Sequence, residues 1–490
     1  MAAQSVALSE PTQESRSDRT DLRERAIKGV AVVGSRTLAV QIIAVIGNVV
    51  LARLLIPQQF GIIAVGLTLL VFARFIGDAG LGASLIRRRE SLNRVELESI
   101  LGLQLILTTA VAVGAALAAP FAEVAAVTAI MVASLPLTVL RTPASIVLER
   151  ELAYRPVAWG EVIEAAAYYM WAIATVALGW GVWGVATATP IRALAGTATI
   201  LLLTPSAVWR PRLCWPSVRP LLGFGARFQA VSLVNLLRDQ GLNVGTAAVG
   251  GVGMLGLWSL AYRVLQIPFL LFTSLWRVSY PAMSKLVSAG RDAKEAVERS
   301  VRITALASGL ILVPLVGAGP ELVSTVLGDR WNDAEAVIPW ASLGLLIGGP
   351  VSVATAGFLW AAGEAGVPLR ATVLHAMVWL ALALPLLSSL GVAALGVGWL
   401  AAAVVDSIVL SRGARKHVAA NIFEALIPTA TLAVLAGGTG WSLASSIGDD
   451  LASVAVGAVS GEILFVCSVA LLSRHILAET LSIGKLVVSR

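Results

Sequence analysis

The sequence predicts an all-α polytopic membrane protein of about 14 transmembrane helices, arranged as two parallel six-helix lobes plus two appended helices. Three observations carry this. Of 490 residues, 57% are hydrophobic and only 13% charged, against about 25% charged in soluble domains. Apolar runs of spanning length recur along the whole chain. Lys and Arg fall between those runs on alternating sides.

A spanning helix needs about 20 mostly apolar residues. That condition is met at 30–52, 60–84, 100–119, 122–146, 157–178 and 181–204, and again at 221–248, 254–281, 302–326, 336–360, 368–388 and 391–411. Two further runs, 423–446 and 451–473, follow. Residues 1–29 are polar, with no apolar core ahead of a small-residue cleavage site, and read as a cytoplasmic tail instead of a secretory signal. The first lobe is then 30–204, the cytoplasmic loop 205–220, the second lobe 221–411, the appended pair 423–473 and the final cytoplasmic tail 474–490. The loop at 284–301, SKLVSAGRDAKEAVERSV, has apolar residues at helical spacing among charges and predicts a short amphipathic helix on the cytoplasmic face.

Charge tests the count. Of the 36 Lys and Arg, eight arginines lie inside the spans. Only Arg53 and Arg330 fall in outer loops, and all the others, Arg87, Arg88 and Arg89 among them, are cytoplasmic. A miscounted helix would invert this alternation downstream. The pI near 9.8 is therefore a matter of topology, and no nucleic-acid partner is expected.

Two internal echoes support a duplicated architecture. At an offset of 195, Asn48-Val49, Ala52 and Gly61 align with Asn243-Val244, Ala247 and Gly256, across the outer turns of helices 1–2 and 7–8. Gly181-Val182 likewise aligns with Gly391-Val392 at the start of helices 6 and 12.

No catalytic constellation is expected. The three histidines are scattered, the two cysteines lie far apart, and neither a nucleophile elbow nor metal-ligand spacing is present. No metal and no cofactor is implied. What remains is intramembrane charge, which costs on the order of 2.5–3.5 kcal/mol per group even on the lenient insertion scale and is functional by default. Arg36 is on helix 1, Arg74 and Asp78 on helix 2, Arg227, Arg238 and Asp239 on helix 7, and Arg263 and Arg277 on helix 8. Arg36, Arg74, Arg238 and Arg263 are the candidate substrate-binding residues of a cationic cavity between the lobes, suited to phosphate or diphosphate. Asp78, Asp239 and Asp406 are candidates for ion coupling or pairing. Against these stand bland readings: Arg74 and Asp78 at i,i+4 can neutralise each other, and Arg141, Arg227 and Arg277 can snorkel. Arg192 reads as isolated, and Glu161 and Glu164 as interfacial carboxylates.

At LARLLIPQQFGIIAV and GDAGLGASLIRR the chain resembles the polysaccharide transporter family, the Wzx-type lipid-linked oligosaccharide flippases of the multidrug/oligosaccharidyl-lipid/polysaccharide exporter superfamily. GLWSLAYRVLQIP, RVSYPAMSKL, LGDRWNDAEAVIPWASLG and GVAALGVGWLAAAV extend the resemblance over roughly residues 28–412. It implies a non-enzymatic, multi-pass protein of the cytoplasmic (inner) membrane with both termini inside. Such a protein flips an undecaprenyl-diphosphate-linked glycan and works beside other polysaccharide assembly proteins. The alternatives are a drug or organic-cation antiporter of the same superfamily and a membrane glycan polymerase or ligase; arginine-rich spans oppose the first, and the lack of a long outer loop the second. Reporter fusions at Asp329 and Arg291 are expected on opposite sides of the membrane, and signals from the same side would refute the topology.

Overall fold

The computed structural model describes residues 13–81, 93–151, 153–204, 209–319, 321–448 and 450–472, with side chains from Gly34 onward except at 221–228, 230–232, 234–235 and 238. Arg87, Arg88, Arg89 and the final tail lie outside the described residues, as do the side chains of Arg227 and Arg238. Among the described residues the elements are helices joined by short turns, with no strand. Among the described residues twelve helices are long and apolar enough to cross a membrane, and a bent pair would make thirteen.

The first helix, α1 (Gln13–Leu54), starts well before the apolar run, so the polar segment 13–29 continues the spanning helix. Pro57, at the first position where a missing N–H costs nothing, opens α2 (Pro57–Asp78). The next helix, α3 (Arg94–Ala118), is capped by Asn93, whose side chain accepts from the Val95 amide at 3.0 Å. Then come α4 (Glu123–Val132), α5 (Ser134–Val139) and α6 (Thr142–Arg150), an apolar stretch bent by 52° at residues 140–141. A tight hairpin follows, α7 (Tyr154–Thr175) and α8 (Val182–Leu203).

The long element α9 (Trp215–Ser288) doubles back at Gly251 (φ 79°, ψ 171°). The Trp258 indole donates to Asn243 Oδ1 at 3.2 Å, whereas fifteen residues of straight helix would separate them by about 22 Å. The remaining helices are α10 (Lys294–Gly317), α11 (Glu321–Leu327), α12 (Asn332–Glu335), α13 (Ile338–Ala361), α14 (Gly366–Leu390), α15 (Ala393–Arg415), α16 (Ile422–Ile447) and α17 (Leu451–Leu472). The amphipathic helix expected over 284–301 does not form as a separate element. The stretch is shared between the end of α9 and the start of α10, with a turn around Gly290 (φ 63°) between them.

The chain divides into two compact units, Met1–Leu51 with Gly66–Asn235, and Ala52–Val65 with Leu236–Arg490. In the first, the linker into α9 is tied to α3 by Glu98, which is buried. Its carboxylate receives Arg94 at 3.0 Å, Arg212 at 3.5 Å and the Arg210 amide, while its carbonyl accepts the Arg212 amide.

In the second unit the tip of the first hairpin, 52–65, packs among residues of α9 to α13. A Cβ on Gly61 would overlap the Val252 carbonyl, and one on Gly256 would overlap the Pro57 carbonyl. At the 195-residue offset Gly61 corresponds to Gly256 and Pro57 to Val252, so the contact is reciprocal, and only a residue without a side chain permits either half of it. The second echo is also visible in the backbone: Gly181 (φ 54°, ψ −128°) and Gly391 (φ 56°, ψ −145°) turn their hairpins in the same left-handed conformation.

Carbonyls at the ends of helices need donors. The Trp331 indole donates to the Ala52 carbonyl at 2.8 Å, and Arg330 to that of Leu55 at 3.4 Å. In return Arg53 donates to the Val326 and Thr325 carbonyls of α11 at 2.9 and 2.8 Å. The fully buried Trp331 meets Phe60 edge-on at 4.9 Å. Trp331→Ala is expected to destabilise the protein by about 3–5 kcal/mol, read as a lowered midpoint in a thermal aggregation or size-exclusion assay. A wild-type midpoint would show that the tip is held by other means.

Candidate functional site

The densest gathering of intramembrane charge lies inside the first unit, around one face of α7. Glu161 and Glu164 are three residues apart and so project from the same side of that helix. Glu164 is buried, with 4% of its surface exposed. Its Oε1 pairs closely with Nη1 of Arg141, and its Oε2 lies 3.5 Å from Nε of Arg192. Arg36 of α1 donates through Nη1 to Glu161 at 3.0 Å, while its Nε is buried without a hydrogen-bond partner.

Local backbone places each of these groups. Arg141 stands at the 52° break between α5 and α6, immediately before the Thr142-Pro143 start of α6. Proline removes a backbone donor and favours a helix start there, so the arginine leaves the helix axis at the bend. Arg192 is on α8, where Pro190 also lies, and its guanidinium sits 6.0 Å over the Tyr168 ring, a favourable cation–π distance. One turn further on α8 is Gly196. A Cβ at that position would overlap both the Glu164 carboxylate and its Cγ, so the bare glycine makes the room for the ion pair.

Arg74 of α2 is exposed, with Glu164 and Asp78 as its oppositely charged neighbours and Arg192 and Arg141 near enough to repel it. Asp78 accepts from Gln104 Nε2 at 3.3 Å and from the Gly80 amide, with Arg74 as its charged neighbour. Ala79 (φ 48°) and Gly80 (φ 68°) are both left-handed at this helix end. Arg36 is paired with Glu161, while Arg141 and Arg192 share Glu164, so three guanidinium groups meet two carboxylates. A guanidinium carries five donors in a rigid fork, and two carboxylates cannot occupy the donors of three of them. The arrangement is chemically suited to holding an anion with several oxygens, a phosphate or diphosphate.

Of the residues expected from sequence, Arg36, Arg74 and Asp78 fall in this unit. Arg263, Asp239 and Asp406 fall in the second. Arg263 lies 5.4 Å over the Phe60 ring, and Asp239 and Asp406 are each engaged by a neighbour. The Arg238 side chain lies outside the described residues. Glu161, Glu164, Arg141 and Arg192 were underrated by sequence reasoning. The i,i+3 glutamates, and a glycine one turn after Arg192, were the available signals.

A family model described as "Polysaccharide biosynthesis protein" matches residues 50–336, more than half of the chain. The chain belongs to that family. It is 25% identical over 346 residues to the lipopolysaccharide biosynthesis protein WzxC of Escherichia coli (strain K12), covering 67% of this chain and 68% of that one. It is also 25% identical to the succinoglycan biosynthesis transport protein ExoT of Rhizobium meliloti (strain 1021), covering 61% of this chain and 60% of the relative. Among solved structures, the fold is similar to that of the lipid II flippase MurJ in an inward closed conformation. The TM-score is 0.70 at 12% identity, with 91% of this chain and 99% of that chain covered. An inward-facing multidrug resistance MATE family transporter of the MOP superfamily is similar at TM-score 0.55 and 17% identity, covering 77% and 94%. This family member is a multi-pass membrane protein whose first unit carries the arginine cluster. Gly196→Leu, which puts a side chain where Glu164 and Arg141 meet, is expected to cost about 1–3 kcal/mol of stability from overpacking. Thermal melts of the purified protein check this, and an unchanged midpoint would show that the pair has room elsewhere.

Proposed function

We propose that this protein carries a lipid-linked saccharide across the cytoplasmic membrane by alternating access, and that the arginines around Glu161 and Glu164 bind the phosphate end of that lipid. The observation that supports this reading is the convergence of Arg36, Arg141 and Arg192 from three places in the chain onto two carboxylates of α7, with Arg74 close enough to feel Glu164. Each guanidinium is expensive to keep away from water. Net positive charge beyond structural pairing calls for an external anion, and a diphosphate matches the planar forks in charge and geometry. Membership of the polysaccharide biosynthesis family, and similarity to a lipopolysaccharide biosynthesis protein and a succinoglycan biosynthesis transport protein, support a glycan as the cargo.

In this reading the protein is a transporter and no enzyme. The saccharide stays attached to its lipid, and the arginines replace the water that the diphosphate loses on entering the membrane. Arg238 and Arg263 of the second unit are proposed to recognise the same class of anion, and Asp78, Asp239 and Asp406 to balance charge as the cargo binds and leaves. The inner membrane is the proposed location, with both termini cytoplasmic. The other superfamily reading, export of organic cations, meets an electrostatic objection: a like charge beside the arginine cluster is repelled, most strongly where the dielectric is low.

Arg36→Ala and Arg74→Ala are each expected to reduce glycan export at least about tenfold, the order of one lost charge-assisted contact, while the protein still inserts in the membrane. Surface glycan and membrane-fraction immunoblots measure the two. Wild-type export by both variants would remove the anion-site assignment.

A further inference from the structure

We propose that Glu164 is a built-in competitor for the cargo: an internal anion that shares Arg192 with the incoming phosphate and so keeps binding weak enough for release. The proposal rests on the reading of the arginine cluster as a phosphate site and adds to it a residue that opposes binding.

Three features of the geometry support it. Glu164 bridges two arginines from different helical elements, one through each carboxylate oxygen, which is what a phosphate group placed between them would do. The two halves of the bridge differ in tightness. The Arg141 contact is close, whereas Arg192 Nε stands 3.5 Å from Oε2, longer than the 2.7–2.9 Å usual for a charge-assisted bond. Finally, Arg192 is 53% exposed while Glu164 is buried, and its guanidinium also lies above the Tyr168 ring. Arg192 therefore has a loose link to the carboxylate, an aromatic surface on which to turn, and an open side from which an anion can approach. Arg141 keeps Glu164 paired when Arg192 turns away, so the buried carboxylate is never left without a counter-ion, a state that would cost several kcal/mol.

A carrier has to release what it binds. Four arginines with no opposing group would hold a diphosphate too firmly, and binding energy that is equal before and after translocation slows the cycle. A carboxylate that recaptures Arg192 as the phosphate leaves lowers the affinity and speeds departure. In this arrangement Glu164 is a positioning and competing residue, which need not touch the cargo.

The test uses the full-length protein in lipid nanodiscs titrated with undecaprenyl diphosphate, with inorganic pyrophosphate as a competitor to separate recognition of the headgroup from recognition of the lipid. Glu164→Gln is expected to bind the lipid about tenfold more tightly than wild type and to export less glycan in cells. Glu164→Asp should behave like wild type, and the tightening should vanish in an Arg192→Ala background. Equal or weaker binding by Glu164→Gln, with binding still lowered by Arg74→Ala, would overturn the competitor role and leave the phosphate site standing. No binding by the wild-type protein would overturn both. If Glu164→Gln cannot be recovered in nanodiscs, Glu164→Ala takes its place: binding about tenfold tighter than wild type supports the proposal, and equal or weaker binding overturns it.

Discussion

An ion inside an apolar medium has to be held by other ions or dipoles, and this requirement organises the first unit of the protein. Several kcal/mol per charge are at stake, enough to dictate where helices bend and where side chains must be missing. The break at Arg141, the bare backbone at Gly196 and the ring of Tyr168 all serve one buried carboxylate and its guanidinium neighbours. Glu164 is the pivot of this arrangement, because removing its charge would leave Arg141 and Arg192 facing each other.

The second unit meets a related demand at the ends of helices. Helices that stop abruptly expose carbonyls, and Arg53, in the last turn of α1, and Arg330 are consumed in satisfying carbonyls there together with Trp331. The two family-like stretches LARLLIPQQFG and LGDRW, far apart in sequence, meet at this exchange of donors.

How much was legible beforehand follows from the range of each interaction. Helices were readable because apolar run length and loop charge are local properties, and the hairpin turns were readable from glycines that repeat. The amphipathic helix at 284–301 was not real, because a periodic pattern cannot tell a separate helix from the ends of two long ones. The polar start of α1 was likewise invisible: hydropathy marks where a helix enters the membrane, not where it begins. In the candidate site, Arg36 and Arg74 stood out as costly charges. Glu164 did not, since its position near the start of a span suits an interfacial carboxylate equally well, and only three-dimensional packing brings it to Arg141 and Arg192.

The reciprocal contact of the two hairpin tips has an historical consequence. Gly61 against the Val252 carbonyl and Gly256 against that of Pro57 is the pattern a two-fold axis generates, in which the same patch recognises itself. If the two hairpins arose by duplication, such a patch would have been the interface of a symmetric dimer, and Gly61 and Gly256 mark where neither copy could acquire a side chain.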